Sequence, residues 1–458
     1  MFLRRMLRDN VFWKTMISLA VPIILQQLLT SCLAIVDNLM VGQLGDIAVA
    51  AVGQSAQVAQ LINLFFVGIC SGGAVFAAQY WGAKDHEGIR RTYGLVMLLC
   101  GSMAVVFAVL VSLFPKQVLS LYTNSPAIIE QGAQYLRIAA FSYIGIGLNF
   151  GFCTILRSVE QVRLPVISNG IAVAVNVVFN WLLIFGKGGF PALGIRGAAI
   201  ATVLSSCINP LFIFAVSFIK RNVLRCPLRK LFCFGHGFVR QFLLMALPAF
   251  ANEAMWAIGT AGTNMVYGRM GESNVAALTI NNTVQNLAFV ALIGVCNACA
   301  VMLGKRIGEG KLDEVKEYAK RFVLLTPIVS AVMGLVIIAL RTPLLSLFSL
   351  SAEAASTASA LLLIYGLEAG LRNVSYITIV GIFRPGGNTR IGMVFDGVCL
   401  WGIALPLTAI LGLVLHWDFT TVYFVMLLAE DIPKICLILP YFFKFGWIHS
   451  VTEQETRG

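Results

Sequence analysis

Charge is what this sequence is short of. Asp, Glu, Lys and Arg together supply 12% of its 458 residues, against 59% hydrophobic. A soluble domain needs about 25% charged residues to stay solvated, so the soluble classes are excluded. Histidine is scarcer still: His86, His236, His416 and His449 are the full set of four. They fall on separate segments, so a membrane enzyme built on clustered acid–base groups finds no support, and the chain reads as a non-enzyme. Strand-like alternation is also missing. The apolar runs are continuous, which excludes a transmembrane β-barrel. The eleven cysteines lie mostly within these runs, where Cys acts as a small hydrophobe, and imply no disulfide framework. Cys226 and Cys233 share a connection with His236, at a spacing that fits no usual zinc pattern.

The runs themselves, each of roughly 20 apolar residues, are centred near Leu25, Ala59, Ala104, Gly145, Val173, Ser206, Ala254, Ala288, Val332, Glu368, Gly402 and Leu428. They predict an all-α polytopic membrane protein with twelve transmembrane helices. The first run is too long for a signal-peptide core and lacks a small-residue cleavage pattern, so it reads as the first span. Alternate connections collect Arg4, Arg5, Arg8, Lys14 and the basic stretches at 84–91, 220–240 and 305–321 on one side. The other side holds Lys116, Lys187, Arg196, Arg269 and Arg341. By the positive-inside rule the first side, with both termini, is cytoplasmic, and the membrane is expected to be the cell (plasma or inner) membrane. The net charge of +12 then reports topology and contact with anionic membrane lipid, and implies no nucleic-acid partner.

Shifting the sequence by 226 positions lays ISLAVPIILQQ on LLMALPAFANE and DNLMVGQLGD on TNMVYGRMGE. Pro22 meets Pro248, Asn38 meets Asn264, Gly45 meets Gly271 and Gly82 meets Gly308. A shift of 227 then pairs ILRSVEQVR with IFRPGGNTR, matching Arg157 to Arg384. The chain is a duplicated six-helix unit, expected as a first bundle at 1–219, a cytoplasmic linker at 220–240 and a second bundle at 241–458. An even number of spans per copy puts both copies in the same orientation, which favours a transporter that rocks two halves.

The residues out of place are polar ones inside the runs. Asp37 follows a stretch, 15–36, without a charged side chain. Either it ends a helix at the membrane surface, or it lies in a protein-lined cavity and exchanges a proton or a cation. Asn169, Asn176 and Asn180 share one helical face of the fifth span, and Gln54, Gln57, Gln60 and Asn63 one side of the second. Asn169 reads as interhelical glue; Asn176 and Asn180, with Gln57 and Gln60, are candidates to meet Asp37 in a wet cavity. The same oxygens could hold a sodium ion, at Asp37 and Asn180. Phe65, Phe66, Phe179 and Trp181 are candidate lining for an amphiphilic cation. In the second half Thr263 stands where Asp37 would be. Its own candidates are Glu253, Asn264, Asn282 and Asp396. Glu368 with Arg372, one turn apart, is expected as an ion pair, and Glu430, Asp431 and Lys434 as another near the membrane surface. Pro22 and Pro248 are candidate hinges.

The stretches VDNLMVGQLGDIAVAAVG, AAQYWGAKD, ILRSVEQVRLP, NVVFNWLLIFG and GIRGAAIAT resemble those of the multidrug and toxic compound extrusion (MATE) family over nearly the whole chain. The resemblance implies two pseudo-symmetric six-helix bundles around a central cavity and an efflux antiporter driven by protons or sodium. Asp37 matches the aspartate that the family uses for coupling, and Asn180 stands where members carry aspartate or asparagine. Sodium-coupled members are expected to use acids in the seventh and tenth spans; Asn373 occupies the tenth-span position here, which points to protons, with sodium as the alternative. The expected cargo is a drug-like, amphiphilic organic cation, with no cofactor and a monomer as the working unit. The alternative within transport is a lipid-linked precursor flippase, which would need cationic side chains for a pyrophosphate.

Overall fold

The computed structural model describes residues 8–226, 231, 234–346 and 351–451. Arg4, Arg5, Cys233 and part of the 220–240 linker lie outside the described residues. No strand occurs among the described residues, which are overwhelmingly helical. A bilayer core offers no partner for backbone N–H and C=O groups, so apolar runs of this length satisfy them internally as helices.

Among the described residues, ten helices are each long and apolar enough to cross a membrane. They are Asn10–Gly42, Asp46–Gly82, His86–Leu113, Arg163–Phe185, Ile195–Ile219, His236–Gly268, Asn274–Gly308, Leu312–Leu345, Ala352–Phe383 and Thr389–Val414. Pro126–Ala139 and Ser142–Ser158, bent by 50° at a short break, make a further span, fourth in chain order. Phe419–Phe443, with 25 residues, is the twelfth. At about 1.5 Å per residue it is long enough, and it differs by carrying Glu430, Asp431 and Lys434 in its interior. The duplication recurs at the turns. Gly45 and Gly271, equivalent in the repeat, lead into spans two and eight with φ of 100° and 137°, a region that a side chain would strain. Asp85 and Asp418 cap spans three and twelve by accepting backbone N–H groups of the first turn.

Contacts group the chain into two compact units, Val21–Ala246 and a second composed of Met1–Ala20 with Leu247–Gly458. In the first, span three packs on four, two on both, and six on four and five. In the second, nine packs on ten, eight on both, and twelve on ten and eleven, so the pairing repeats. Helix backbones approach closely where glycine permits. A Cβ on Gly334 of span nine would stand 2.0 Å from the carbonyl oxygen of Gly366 of span ten.

The division falls immediately before Pro22 and Pro248, inside helices that run on through both prolines. The first turns of span one therefore belong with the second unit. Phe12 is buried there against Tyr318 and Phe322, and Arg321 binds Asp9 at 2.6 Å.

The two copies differ by one residue ahead of Arg157 and Arg384. The fourth span closes in regular α-helix at Ser142–Ser158, whereas the tenth becomes a π-helix over Ile377–Phe383, with the Arg384 N–H reaching Ile379 O at 3.1 Å. A π turn is how a helix takes up one extra residue without breaking.

Candidate functional site

Span one runs on to Gly42, so Asp37 lies inside the helix and caps nothing. Its partner is Asn180 of span five, whose Nδ2 donates to Asp37 Oδ1 at 2.5 Å. The chain of contacts continues inward. Asn180 Nδ2 also reaches Asn176 Oδ1 at 2.8 Å, Asn176 Nδ2 donates to Ser205 Oγ at 3.2 Å, and Ser205 Oγ donates to Thr202 O at 3.0 Å. Asp37 is half-buried, while Asn176 and Asn180 are each 1% exposed. Asn180 Oδ1 is buried with no hydrogen-bond partner. Toward the end of span one, Val41, Ala48, Ile184 and Ala198 form an apolar cluster, with Tyr135 against it. One side of the polar chain is thus closed by packed hydrocarbon.

The helical spacing of four between Asn176 and Asn180 is what lets one amide hand on to the next. Asn169, a further seven residues back, bonds Gln26 O and Thr30 Oγ1 of span one, each at 3.2 Å, and serves as interhelical glue. Gln57 and Gln60 are exposed on span two and form no hydrogen bond to Asp37 among the described residues. Phe66 is fully buried against Phe150 and so belongs to the core; Phe65 packs on Phe107, and Trp181 is exposed. Ser205, Thr202 and Tyr135 were not singled out by sequence. A hydroxyl in an apolar helix commonly bonds its own backbone, so sequence gave no signal that Ser205 faces an amide.

The second unit holds a cavity of about 230 Å³ lined by Glu253, Arg372, Arg384, Asp396, Glu430, Asp431 and Lys434 among others. Arg384 binds Glu253 at 2.8 Å and Asn252 Oδ1 at 2.6 Å, and Asn252 donates in turn to Asp396 Oδ2 at 2.7 Å. Lys434 bridges Asp396 at 3.0 Å and Glu430 at 2.8 Å. The contact from Arg384 to Asn252 has a counterpart in the first unit, where Arg157 donates to Gln26 Oε1 at 2.8 Å; Gln26 and Asn252 are 226 positions apart.

Several sequence expectations change here. Glu430, Asp431 and Lys434 are all buried and line this cavity from the interior of span twelve; Glu430 and Lys434 form the expected ion pair, whereas Asp431 makes none with Lys434 among the described residues. Glu368 and Arg372 form no ion pair either; the Glu368 carboxyl turns to Asp431 of span twelve. One turn of helix brings two Cβ atoms close but does not direct two long side chains at each other. Thr263, in the place of Asp37, bonds back to Gly259 O of its own helix at 3.0 Å, and Asn264 is exposed. Beside half-buried Asn282, the buried amide of span eight is Asn281, which with Gln285 donates to Tyr423 OH at 2.9 and 2.8 Å. Asn373 is buried on Ser330 Oγ at 2.8 Å. No cluster of His, Cys, Asp and Glu suited to a metal ion occurs among the described residues.

The MatE family model matches residues 22–182 and 248–410, each match beginning at the repeat proline. The chain is 25% identical to the probable multidrug resistance protein YoeA of Bacillus subtilis (strain 168), over 95% of this chain and 94% of that protein. It is 24% identical to a probable multidrug resistance protein NorM of Thermotoga maritima, over 95% and 93%. Its fold superposes on a MATE crystal structure in the bent conformation with a TM-score of 0.86 at 19% identity, covering 99% of each chain. Two matched halves, the doubled helix pairing and full-length likeness agree: the chain belongs to the MatE family of multidrug and toxic compound extrusion transporters.

Proposed function

We propose that this protein is a secondary active antiporter of the cell membrane, with both termini cytoplasmic, that exports amphiphilic organic cations in exchange for protons by alternating access. The observation that carries the reading is the chain from Asp37 through Asn180 and Asn176 to Ser205. A carboxylate held by one amide and left half-buried can take up a proton or release it without leaving its place. The amide suits both states: it donates N–H to the charged carboxylate, and turned over it accepts from the protonated acid. The unpartnered Asn180 Oδ1 is the acceptor available for that second state.

Loading and release are then tied to shape through span one, which carries both Asp37 and Pro22. Pro22 cannot donate to the helix ladder, so bending there costs less than elsewhere in the span. Pro248 is the matching position in span seven. The chain acts as a monomer in this reading. Sodium is the alternative ion, since Asp37 and Asn180 Oδ1 also offer oxygen ligands.

The lipid-linked precursor reading is weaker. Arg372, Arg384 and Lys434 do line the second cavity, but Glu253, Asp396, Glu430 and Asp431 line it with them, which leaves no surplus positive charge for a pyrophosphate. The test is transport by purified protein in liposomes. An imposed pH gradient should drive uptake of a fluorescent organic cation, and equal transport without any proton or sodium gradient would replace antiport with a facilitator.

A further inference from the structure

Acids outnumber bases around the cavity of the second unit. Arg372, Arg384 and Lys434 line it with Glu253, Asp396, Glu430 and Asp431, and Glu368 lies beside Asp431 and Arg372. Lys434 is taken up by Asp396 and Glu430. Glu368 is 4% exposed and Asp431 fully buried, and none of their four carboxyl oxygens accepts a hydrogen bond from a donor group of the described residues. Their close polar contact is with each other. Tyr267 OH and Asn281 Oδ1, also buried, lack partners in the same region. Around the pair, span ten contributes Arg372 and Tyr365, span twelve Glu430, Lys434 and Tyr423, span seven Tyr267, and span eleven Asp396.

Two ionised carboxylates cannot hydrogen-bond to one another, and two buried in contact repel. A carboxyl pair that shares one proton removes both problems, since the protonated acid donates to the ionised one. Asp431 borders the cavity, which gives that proton a path to water.

We propose that Glu368 and Asp431 together hold one exchangeable proton, making a second proton-binding site in the second unit that is separate from Asp37. Loading forms one O–H bond on a carboxyl oxygen of the pair, and release returns that proton to cavity water as hydronium, with no other bond made or broken. The site goes beyond the antiport reading and does not depend on it, because proton binding can be observed without transport.

The experiment is infrared difference spectroscopy on the full-length protein in lipid nanodiscs, between acid and alkaline pH. It is done in an Asp37→Asn background so that Asp37 contributes nothing. The signal is the carbonyl stretch of a protonated carboxylic acid, identified by its shift in deuterium oxide. Glu368→Gln and Asp431→Asn should each abolish one such band, because the amide introduced donates to the remaining carboxylate and no proton is needed. The double variant Glu368→Gln with Asp431→Asn should lose that same single band and no second one. It also places two amides that can bond each other, so it keeps the test usable where a single variant does not fold. A band that survives in all three variants overturns the proposal. So does the absence of any such pH-dependent band in the Asp37→Asn background.

Discussion

Asn180 donates its side-chain amide to Asp37 at 2.5 Å, joining span five to span one at the acid of the first unit. The contact specifies what each substitution should do. Asp37→Asn keeps size and can bond Asn180 through its amide oxygen, but it cannot titrate. Gradient-driven efflux should fall by more than about tenfold, equivalent to ~1.4 kcal/mol, in protein that is folded and membrane-inserted at normal levels. Asn180→Asp should be better tolerated, and Asp396→Asn should affect efflux less than Asp37→Asn does. Initial rates in inverted vesicles at matched expression decide this; a fully active Asp37→Asn protein would move the search for the coupling acid to Glu253.

The coupling ion can be separated from the acid that carries it. Asn373, buried on Ser330, puts an amide where sodium-coupled relatives are expected to have an acid. Replacing sodium by choline at fixed pH should leave efflux unchanged, while collapsing the proton gradient with an uncoupler should abolish it. A strict sodium requirement would reverse the assignment.

Lys434 makes a stability prediction independent of transport. It is 6% exposed and neutralises Glu430 and Asp396 together. Lys434→Met should destabilise the protein by about 3–5 kcal/mol, because it leaves buried Glu430 and half-buried Asp396 without their cation. Adding Glu430→Gln to it should recover part of the loss. Thermal unfolding of the purified protein in detergent reads both.

Much of this was legible in the sequence, for physical reasons. Hydrophobic runs report spans directly, because lipid tolerates nothing else, and a 226-residue shift exposes the duplication because equivalent glycines and prolines answer the same backbone demands. Asp37, Asn176 and Asn180 were legible because an acid and amides are rare at that depth. The second unit was legible only in part: Glu253 and Asp396, named from sequence, line its cavity, but the pairings around them were not foreseen. Glu368 and Arg372 are near in sequence, yet the partner of Glu368 comes from another helix, and sequence spacing carries no information on which face of span twelve turns inward. Ser205 and Tyr423 were missed because hydroxyls in spans are common and usually structural. The π turn at Ile377–Phe383 left only a trace, the change of repeat shift from 226 to 227.

The last prediction concerns the start of the chain, outside the membrane-spanning helices. Asp9 Oδ1 accepts the Phe12 N–H at 3.0 Å, capping span one, and Asp9 Oδ2 accepts from Arg321 at 2.6 Å. Partial burial raises the Asp9 pKa, but the Phe12 N–H and the Arg321 guanidinium outweigh it and hold the carboxyl below its ordinary value. A carboxyl depressed in the folded state contributes stability that is fully present above its unfolded pKa of about 3.9, and that is lost as pH falls through the lower folded value. Asp9→Asn retains the cap, since asparagine caps as well as aspartate, and loses the charge; Asp9→Ala loses both, for a further ~0.5–2 kcal/mol. At neutral pH the order of melting temperatures should be wild type, then Asp9→Asn, then Asp9→Ala. As the pH is lowered below about 4, the gap between wild type and Asp9→Asn should close while the gap to Asp9→Ala persists. A wild-type advantage over Asp9→Asn that stays constant into that range would mean that the ion pair with Arg321 contributes nothing, and that Phe12, packed on Tyr318 and Phe322, anchors the start of span one by itself.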